Sequence, residues 1–246
     1  MRCVHESQLW TDNISLTLTY DDDHLPDNYS VNVRDFQLFM KRLRKHYYGK
    51  SIRFFHCGEY GDQTLRPHYH ALLFNHDFED KIIHSRSKTG HLLYTSEILT
   101  SIWQNGHALI GDCSFESAAY VARYITKKIT GDRSVEHYTR VHPITGEIHQ
   151  VEPEYITMSR RPGIGSGWVS KYKSDIFPSD TVIVNNHRVR PPKFYDKLLD
   201  EKELTLVKQQ RIRYSRKKSA DNTTRRLRDR EFVQQIRMKL LKRDGV

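Results

Sequence analysis

Two histidines separated by one residue are the first feature of this sequence with the chemistry of a site. His68 and His70 lie in the run 68–74, whose composition predicts a β-strand. On a strand, residues i and i+2 point to the same face, so the two imidazoles lie side by side while Tyr69 and Ala71 face the other way. Imidazole is the commonest metal ligand in proteins, so the pair forms half of a metal site. The alternative is a pair of solvent-facing histidines on a sheet surface.

A third ligand is Glu59, near the end of the predicted strand 51–60 that enters the same hairpin. Neighbouring side chains across two paired strands have Cβ atoms about 4.5–5.5 Å apart, so one carboxylate and two imidazoles can share an ion. This set also suits non-haem iron, but its mixed nitrogen and oxygen ligation fits Mg²⁺ or Mn²⁺ when a phosphate supplies further oxygens. We therefore expect a divalent metal, Mg²⁺ or Mn²⁺, as cofactor. The alternative for Glu59 is an ordinary exposed carboxylate.

Two tyrosines on a predicted helix over 115–130 form the second group. Tyr120 and Tyr124 are four residues apart and therefore share one helix face, close to Lys127. The apolar residues predict a packing stripe on the opposite side at about 100° per residue. This stripe consists of Ala118, Val121, Ala122, Ile125 and Ile129. Phenols away from a packing stripe are candidate nucleophiles, and ordinary surface aromatics are the alternative.

The two groups have complementary chemistry. A phenol with a pKa near 10 is a weak nucleophile until a base or a nearby cation favours its anion. A metal on the sheet would polarise a phosphodiester, and Lys127 could offset the developing negative charge. Attack by a tyrosine conserves the bond energy as a phosphotyrosine, which permits later religation.

Hydrophobic periodicity predicts the elements that position these residues. The alternating run 13–20 predicts a strand, and apolar residues at helical spacing predict a helix over 33–48 that Gly49 ends. After the hairpin and a polar stretch over 75–90, the predicted elements are a helix over 96–103, a strand over 108–113, the tyrosine helix, and a strand over 154–159.

The fold class that follows is α+β. The order matches the ferredoxin-like βαββαβ arrangement, with an antiparallel sheet of about five strands, helices packed on the sheet and a basic helical tail. We expect one sheet face to be free for a ligand.

Charge divides the chain into segments. The net charge is +10, and residues 201–246 contribute 15 Lys or Arg against 6 Asp or Glu. We predict a main domain over 1–180, a linker or peripheral element over 181–200, and a basic tail over 201–246. A basic tail indicates a polyanion partner, and a solvated charged tail is the alternative. Candidate phosphate contacts are the basic residues of the tyrosine helix and of the glycine-rich loop 160–168, namely Arg123, Lys128, Arg160 and Arg161.

Several classes of protein are excluded by composition. No run approaches the about 20 apolar residues that a membrane span requires, and the first residues lack the apolar core of a secretory signal. We therefore expect a cytoplasmic protein without a membrane partner. The cysteines, Cys3, Cys57 and Cys113, are odd in number and widely spaced, which favours reduced thiols.

Taken together, these motifs resemble the HUH endonuclease superfamily, in which a strand, a histidine pair and a tyrosine helix recur. The paired tyrosines resemble its two-tyrosine branch, and over about residues 4–170 the chain is similar to the replication initiators of microviruses, of the gokushovirus type. The runs that carry the likeness are Leu16-Thr17-Leu18-Thr19-Tyr20, Gly58-Glu59-Tyr60-Gly61, Arg66-Pro67-His68-Tyr69-His70, the YxxK pattern Tyr124-Ile125-Thr126-Lys127, and Met158-Ser159-Arg160-Arg161-Pro162-Gly163-Ile164-Gly165.

The resemblance implies a metal-assisted endonuclease that nicks single-stranded DNA at a phage replication origin. It implies a 5′-phosphotyrosine, a free 3′-hydroxyl that primes rolling-circle synthesis, and religation by the second tyrosine. It also implies host replication proteins as partners and the cytoplasm of a host bacterium as the location. Chains of this kind commonly begin with a further basic, cysteine-containing segment, so we expect this chain to be a shorter form or to start internally. The tail beyond about residue 200 matches no motif of the family.

Two other functions remain open at this stage. A non-catalytic protein could hold single strands on the sheet and tail by stacking and charge. A metal-dependent phosphodiester hydrolase could use the same ligands with water as the nucleophile, and it would leave no covalent intermediate.

Overall fold

The three-dimensional structure, a computed structural model, describes residues 1–61, 64–87, 89–123, 128–141, 145–184 and 186–240. The chain divides into two compact units, the first over Met1–Gly165 and the second from Ser166 onward. The division lies before residue 180, where the sequence predicted it. The helix over Ser166–Ile176 packs against the segment Lys193–Leu198, which assigns both to the second unit.

The first unit contains a large mixed set of helices and strands. In chain order these are α1 (Arg2–Ser7), β1 (Asn13–Tyr20), α2 (Val33–His46), β2 (Arg53–Tyr60), β3 (Pro67–Phe74), β4 (Ile82–Arg86), β5 (Leu92–Thr95), α3 (Glu97–Trp103), β6 (Gly106–Asp112), α4 (Phe115–Arg123), α5 (Arg133–Tyr138), β7 (Thr139–Val141), β8 (Ile148–Gln150) and β9 (Tyr155–Met158).

A seven-stranded antiparallel sheet organises this unit, in the order β4-β5-β6-β1-β3-β2-β9. The four strands β6-β1-β3-β2, with α2 and α3 as their crossovers, have the ferredoxin-like arrangement that the sequence predicted. The strand predicted over 154–159 is β9, which extends the sheet beyond β2. The α+β fold class is confirmed.

The number of strands differs from the predicted five because β4 and β5 form a hairpin that extends the other edge of the sheet. Every residue of β4 is exposed, including Ile82 and Ile83. A strand without a buried face lacks the alternation of apolar and polar residues on which a strand prediction depends. Backbone pairing with β5, interrupted by a bulge between Ile83 and Ser85, therefore forms a strand that the side chains do not signal.

One face of the sheet carries the main hydrophobic core. Alternate residues of β3, Tyr69, Ala71 and Leu73, are fully buried there against α2 and α3. The apolar residues of α2 recur every three to four positions, which gives one continuous buried stripe. This stripe contains Phe36, Phe39, Met40 and Leu43.

The opposite face is covered only over part of its length. Leu72 and Phe74 of β3 form a second cluster with Cys3 of α1 and with Ala118 and Val121 of α4. The expectation of a free sheet face was therefore wrong in part, because α1 and α4 pack over it. The alternation of β3 also puts His68 and His70 on this face, near the end of the strand.

Tyr69 fixes the strand between the two histidines from the core side. Its hydroxyl accepts a hydrogen bond from the backbone N–H of Asn32 at 2.9 Å and lies 2.6 Å from the hydroxyl of Tyr20. The Tyr20 hydroxyl in turn donates to Asp35 at 2.6 Å. Asn32 caps α2, so these buried hydrogen bonds tie β3 and β1 to the start of that helix.

The basic loop after β9 is held against α1. Glu6 is buried and accepts hydrogen bonds from the Arg53 side chain at 2.5 Å and from the backbone N–H of Gly165 at 2.7 Å. Arg53 also donates to the carbonyl of Pro162 at 2.9 Å. The first residues of β2 and the loop 160–165 therefore form one connected region.

The second unit is mostly helical. Its elements are α6 (Ser166–Ile176), a hairpin of β10 (Val182–Val184) and β11 (His187–Val189), a 3₁₀ segment over Lys193–Leu198, α7 (Glu201–Lys217), a short 3₁₀ turn over Ser219–Asp221, and α8 (Thr224–Leu240). The predicted linker over 181–200 therefore contains regular structure. Among the helices of the described residues, none is both long enough and apolar enough to cross a membrane.

His76, directly after β3, is a buried histidine without hydrogen bonds. Within the described part of the chain neither of its ring nitrogens has a partner, and the ring packs against Tyr47 and Phe78 with centroids 4.5 and 4.7 Å away. Burial, assisted by the charge of Lys50, lowers the pKa of His76 from 6.5 to about 4. The unfolded chain therefore takes up a proton in a pH range where the folded chain does not, and stability falls as the pH drops from about 6.5 to about 4.

We predict that His76→Phe raises the free energy of unfolding at pH 7 by about 1 kcal/mol, because it removes two buried nitrogens that lack partners. It should also reduce the loss of stability between pH 6.5 and pH 4.5, leaving the share of His5 and His56, whose pKa values burial lowers in the same way. Urea unfolding followed by circular dichroism at several pH values measures both effects. His84→Phe, at an exposed position of β4, is the matched control, and equal pH dependence in the two variants would contradict the prediction.

Candidate metal centre and tyrosine helix

The predicted ligands Glu59, His68 and His70 come together on the β2–β3 hairpin. Glu59 is directly opposite His68 in the register of the two strands, and Cys57 is opposite His70. The Nε2 atoms of His68 and His70 lie 2.8 and 3.2 Å from the same carboxylate oxygen of Glu59. Each of the three residues offers a ligand atom within 4.8 Å of the other two, and the group could hold a metal ion.

Hydrogen bonds from outside the group orient both imidazoles. Nδ1 of His68 lies 3.1 Å from the carbonyl oxygen of Arg66, to which it can only donate. Nδ1 of His70 lies 3.1 Å from the hydroxyl of Thr17 on β1. Both rings therefore direct Nε2 toward Glu59, an arrangement typical of histidines that ligate metals.

The electrostatics of the group favour a cation. Burial raises the pKa of Glu59, but the hydrogen bonds from His68 and His70 outweigh it and hold this pKa at about 2. Glu59 is therefore an ionised carboxylate although its side chain is only 2% exposed. A buried anion flanked by two imidazole nitrogens is a set of donors that fits a divalent ion, and it does not select one metal among Mg²⁺, Mn²⁺ and iron.

Gly58 leaves room for a neighbouring aromatic ring next to the ligand Glu59. A Cβ atom at this position would lie 2.6 Å from Cε1 of Tyr155, which pairs with Gly58 from β9. The Tyr155 hydroxyl lies 3.3 Å from Nε2 of the buried His56. Glycine at position 58 thus permits β9 and Tyr155 to pack beside the hairpin strand that carries Glu59.

Tyr120 of α4 lies over the metal-ligand group. Its ring meets the ring of His70 edge to face, with centroids 5.1 Å apart and an interplanar angle of 89°. The side chain is half-buried at the border of the second hydrophobic cluster. The helix that the sequence singled out is therefore adjacent to the histidines in space.

The orientation of α4 differs from the predicted one. Its buried residues are Ser117, Ala118 and Val121, whereas Ala122, predicted in the packing stripe, is exposed. Tyr120 was predicted opposite the stripe but packs partly against the sheet. The reason is that the helix covers a polar ligand group as well as an apolar cluster, so its packed side includes a phenol.

The other two members of the tyrosine group, Tyr124 and Lys127, lie outside the described residues, as does Ile125 of the predicted stripe. Their assignment as second nucleophile and charge-offsetting lysine stays a prediction from the sequence.

The four predicted DNA contacts fall into two groups. Arg123 and Lys128 follow Tyr120 in the chain; Arg123 is partly exposed and donates to the carbonyl of Ala119, and Lys128 is exposed. Arg160 and Arg161 are exposed in the loop beside Arg53, at the other end of β2 from Glu59. Six residues of strand separate these two ends, or about 20 Å. Arg160 and Arg161 therefore do not belong to the metal-ligand group.

Thr17 and Arg66 are site residues that sequence reasoning missed. Thr17 lies on β1, directly opposite His70, and Arg66 precedes the hairpin strand and contributes a backbone carbonyl. The signal for Thr17 was present, because alternation puts Ser15, Thr17 and Thr19 on one face of β1. Neither residue is ionised in a way that suggests a ligand, so their part emerges only once the register of β1 and β3 is known.

Comparison with known proteins gives a consistent family. A family model for replication-associated proteins of the ORF2 type matches residues 13–129, which include Glu59, His68, His70 and Tyr120. The chain is 36% identical over 203 residues to the replication-associated protein VP4 of Bdellovibrio phage phiMH2K, covering 79% of this chain and 60% of that protein. It is 30% identical over 221 residues to the replication-associated protein ORF2 of Spiroplasma virus 4, covering 83% of this chain and 65% of that protein.

A shorter match, 32% identical over 136 residues, joins 52% of this chain to 34% of the replication-associated protein ORF4 of Chlamydia phage 1. The chain thus spans less than two thirds of the length of each of these relatives. No solved structure matches it.

We predict that His70→Ala lowers the affinity for Mn²⁺ by at least about tenfold, because it removes one of three ligands and leaves Glu59 with one imidazole. Isothermal titration of the purified chain with Mn²⁺ measures the change. His84→Ala, which removes an exposed histidine from β4, should bind Mn²⁺ as the unaltered chain does. Equal affinities of the two variants would rule out the ligand assignment.

Thr17→Val should weaken Mn²⁺ binding less than His70→Ala does, by roughly tenfold, because it frees the His70 ring without removing a ligand. Thr17→Ser keeps the hydroxyl at this position and should retain most of the affinity. The same titration tests both variants, and a decrease in affinity in Thr17→Ser equal to that in Thr17→Val would show that the hydroxyl is not what orients His70.

Proposed function

This chain is a microvirus-like replication-associated protein, and from that premise we propose that it nicks and rejoins single-stranded DNA at a phage replication origin. The nick would initiate rolling-circle replication, as the resemblance to HUH endonucleases implies. The observation that carries the proposal is the contact of Tyr120 with His70, because it brings a potential nucleophile beside a group of metal ligands. The family match spans both.

In this proposal Glu59, His68 and His70 hold a divalent ion, Mg²⁺ or Mn²⁺. When bound, that ion supplies positive charge for the non-bridging oxygens of the scissile phosphate. The ionised Glu59 neutralises part of the charge of the ion, and Thr17 and the carbonyl of Arg66 keep both imidazoles in position. The hairpin thereby orients a phosphate on the face of the sheet that α4 covers.

The Tyr120 oxygen attacks the phosphorus and loses its proton. The bond from phosphorus to the 3′-oxygen breaks, and this oxygen leaves as a free 3′-hydroxyl after it takes up a proton. The product is a 5′-phosphate ester of tyrosine, and the 3′-hydroxyl can prime synthesis. Tyr124 is assigned the second transfer, which closes the displaced strand into a circle, and Lys127 the neutralisation of charge during transfer.

Basic residues would hold the strand on either side of this centre. We assign Arg123 and Lys128, which follow the nucleophile in the chain, to phosphates close to the scissile bond. Arg160 and Arg161 lie about 20 Å away along β2 and are assigned to a more distant part of the strand. The proposal includes a host bacterium as the location, with the cytoplasm as the compartment and host replication proteins as partners, since the relatives are phage proteins.

We predict that the chain, incubated with Mn²⁺ and single-stranded oligonucleotides that tile its cognate genome, forms a covalent adduct with the 5′ side of one cleaved strand. Denaturing gel electrophoresis with 5′- and 3′-labelled strands detects the adduct and its polarity. Tyr120→Phe retains the ring that packs on His70 but removes the hydroxyl, so it should lower adduct formation at least about a hundredfold, and the double variant with Tyr124→Phe should abolish it. Tyr48→Phe, at a position 95% exposed, is the control.

The other two functions give different results in the same experiment. A hydrolase would cleave the strand without an adduct and would tolerate both Phe substitutions. A non-catalytic binding protein would bind the strand and leave it intact. Absence of an adduct on every strand of the cognate genome would overturn the proposal.

A further inference from the structure

The second unit contains a cleft built around an exposed tyrosine. Tyr214, near the end of α7, is 53% exposed. The guanidinium carbon of Arg190 lies 5.7 Å from the centroid of its ring, and the ammonium nitrogen of Lys218 lies 5.5 Å from it. Arg226 and Arg230 of α8 line the same cleft, which we call the Tyr214 cleft.

Carboxylates compensate the charges in this cleft unevenly. Arg211 is bound by both Asp180 and Asp196, at 2.6–2.9 Å. Asp221 alone is shared by Arg226 and Arg230. A pair of cations facing one carboxylate leaves excess positive charge at the rim of the cleft.

Arg190 and Lys218 carry the remaining positive charge. Within the described part of the chain neither of them has a carboxylate partner, and their contacts are with the ring of Tyr214. The surrounding segment is strongly basic, since residues 211–230 contain nine Lys or Arg against two Asp. The cleft is therefore positive overall and has an aromatic ring at its centre.

We infer that the Tyr214 cleft binds single-stranded DNA, with one base stacked on the Tyr214 ring and the adjacent phosphates held by Arg190, Lys218 and the arginines of α8. An aromatic ring flanked by cations is the combination by which proteins bind single strands without reading their sequence. In a duplex the faces of the bases are covered by their neighbours, so a stacking ring favours a single strand. Bound DNA would replace one of the two cations on the ring, and the displaced side chain would turn to a phosphate.

This inference rests on the proposed function only in taking the polyanion to be DNA. It concerns the second unit and is independent of the metal ligands and of the tyrosines of α4. It gives the basic tail, which matches no family motif, a specific binding surface.

The test measures binding of the full-length chain to a fluorescent oligonucleotide of about 20 thymidines by anisotropy, in the presence of EDTA so that no cleavage occurs. Tyr214→Ala should weaken binding by about tenfold or more, because stacking of a base on an aromatic side chain contributes about 1–3 kcal/mol. Tyr214→Phe keeps the ring and should bind like the unaltered chain. Tyr48→Ala, an exposed tyrosine of the first unit, is the matched control and should have no effect.

The charges are tested by the salt dependence of binding. For single strands the slope of log K against log salt concentration decreases by about 0.7 for each phosphate that the protein no longer neutralises. Arg190→Gln combined with Lys218→Gln should therefore reduce the slope by roughly 1.4. Lys197→Gln combined with Lys202→Gln removes two exposed lysines of the same unit that do not line the cleft, and it should change the slope less.

Photocrosslinking gives a second measurement that does not depend on how well a variant folds. An oligonucleotide with 5-iododeoxyuridine should crosslink to the peptide that contains Tyr214 in the unaltered chain, as mass spectrometry would detect. The inference is overturned if Tyr214→Ala binds as tightly as Tyr214→Phe, if the crosslinks map only to the first unit, or if a duplex or a uridine RNA of the same length binds more tightly than the DNA strand.

These results separate the inference from the proposed function. If the strand binds with dependence on Tyr214 but no adduct ever forms, the nicking proposal fails and the inference stands. If adducts form but Tyr214→Ala binds DNA normally, the inference fails and the nicking proposal stands.

Discussion

The alternation of side chains along β3 is the constraint on which the first unit depends. Tyr69 is fully buried in the core and hydrogen bonded to the start of α2. A strand has a period of two residues, so burying Tyr69 forces His68 and His70 onto the opposite face. A shift of one residue in register would bury the histidines and expose the tyrosine. The stability of the core and the position of the metal ligands are thus determined by one packing choice.

This constraint explains which features could be predicted from the sequence. Strands β1 and β3 and helix α2 each bury one face, so their apolar residues follow the periods of strand and helix, and their bounds were predicted to within about two residues. The pairing of Glu59 with His68 followed from the hairpin. The edge strand β4 was missed because it buries no residue. The role of Thr17 was missed because a neutral hydroxyl acquires it only through the pairing of β1 with β3.

The tyrosine helix shows a different limit of sequence reasoning. A helix over an apolar core has a purely apolar packed side, and α4 was predicted on that assumption. It lies instead at the boundary between the apolar cluster of Leu72 and Phe74 and the polar group of His68 and His70. Tyr120 packs where the sheet beneath changes from apolar to polar, so a side chain with an apolar ring and a polar tip suits the position. Sequence periodicity finds the helix but not the chemical nature of its neighbour.

The β4–β5 hairpin has a consequence for how chains of this kind can differ in length. It extends the sheet on the far side of β6, and the sheet register links β5 to β6 through Tyr94 and Ile110. The ligand-bearing strands β2 and β3 lie at the other side of β1, and residues inserted between β4 and β5 would add to the edge without altering the spacing of those strands. Growth at this margin is therefore geometrically uncoupled from the metal ligands. A fluorescent or affinity tag could be carried there for the same reason.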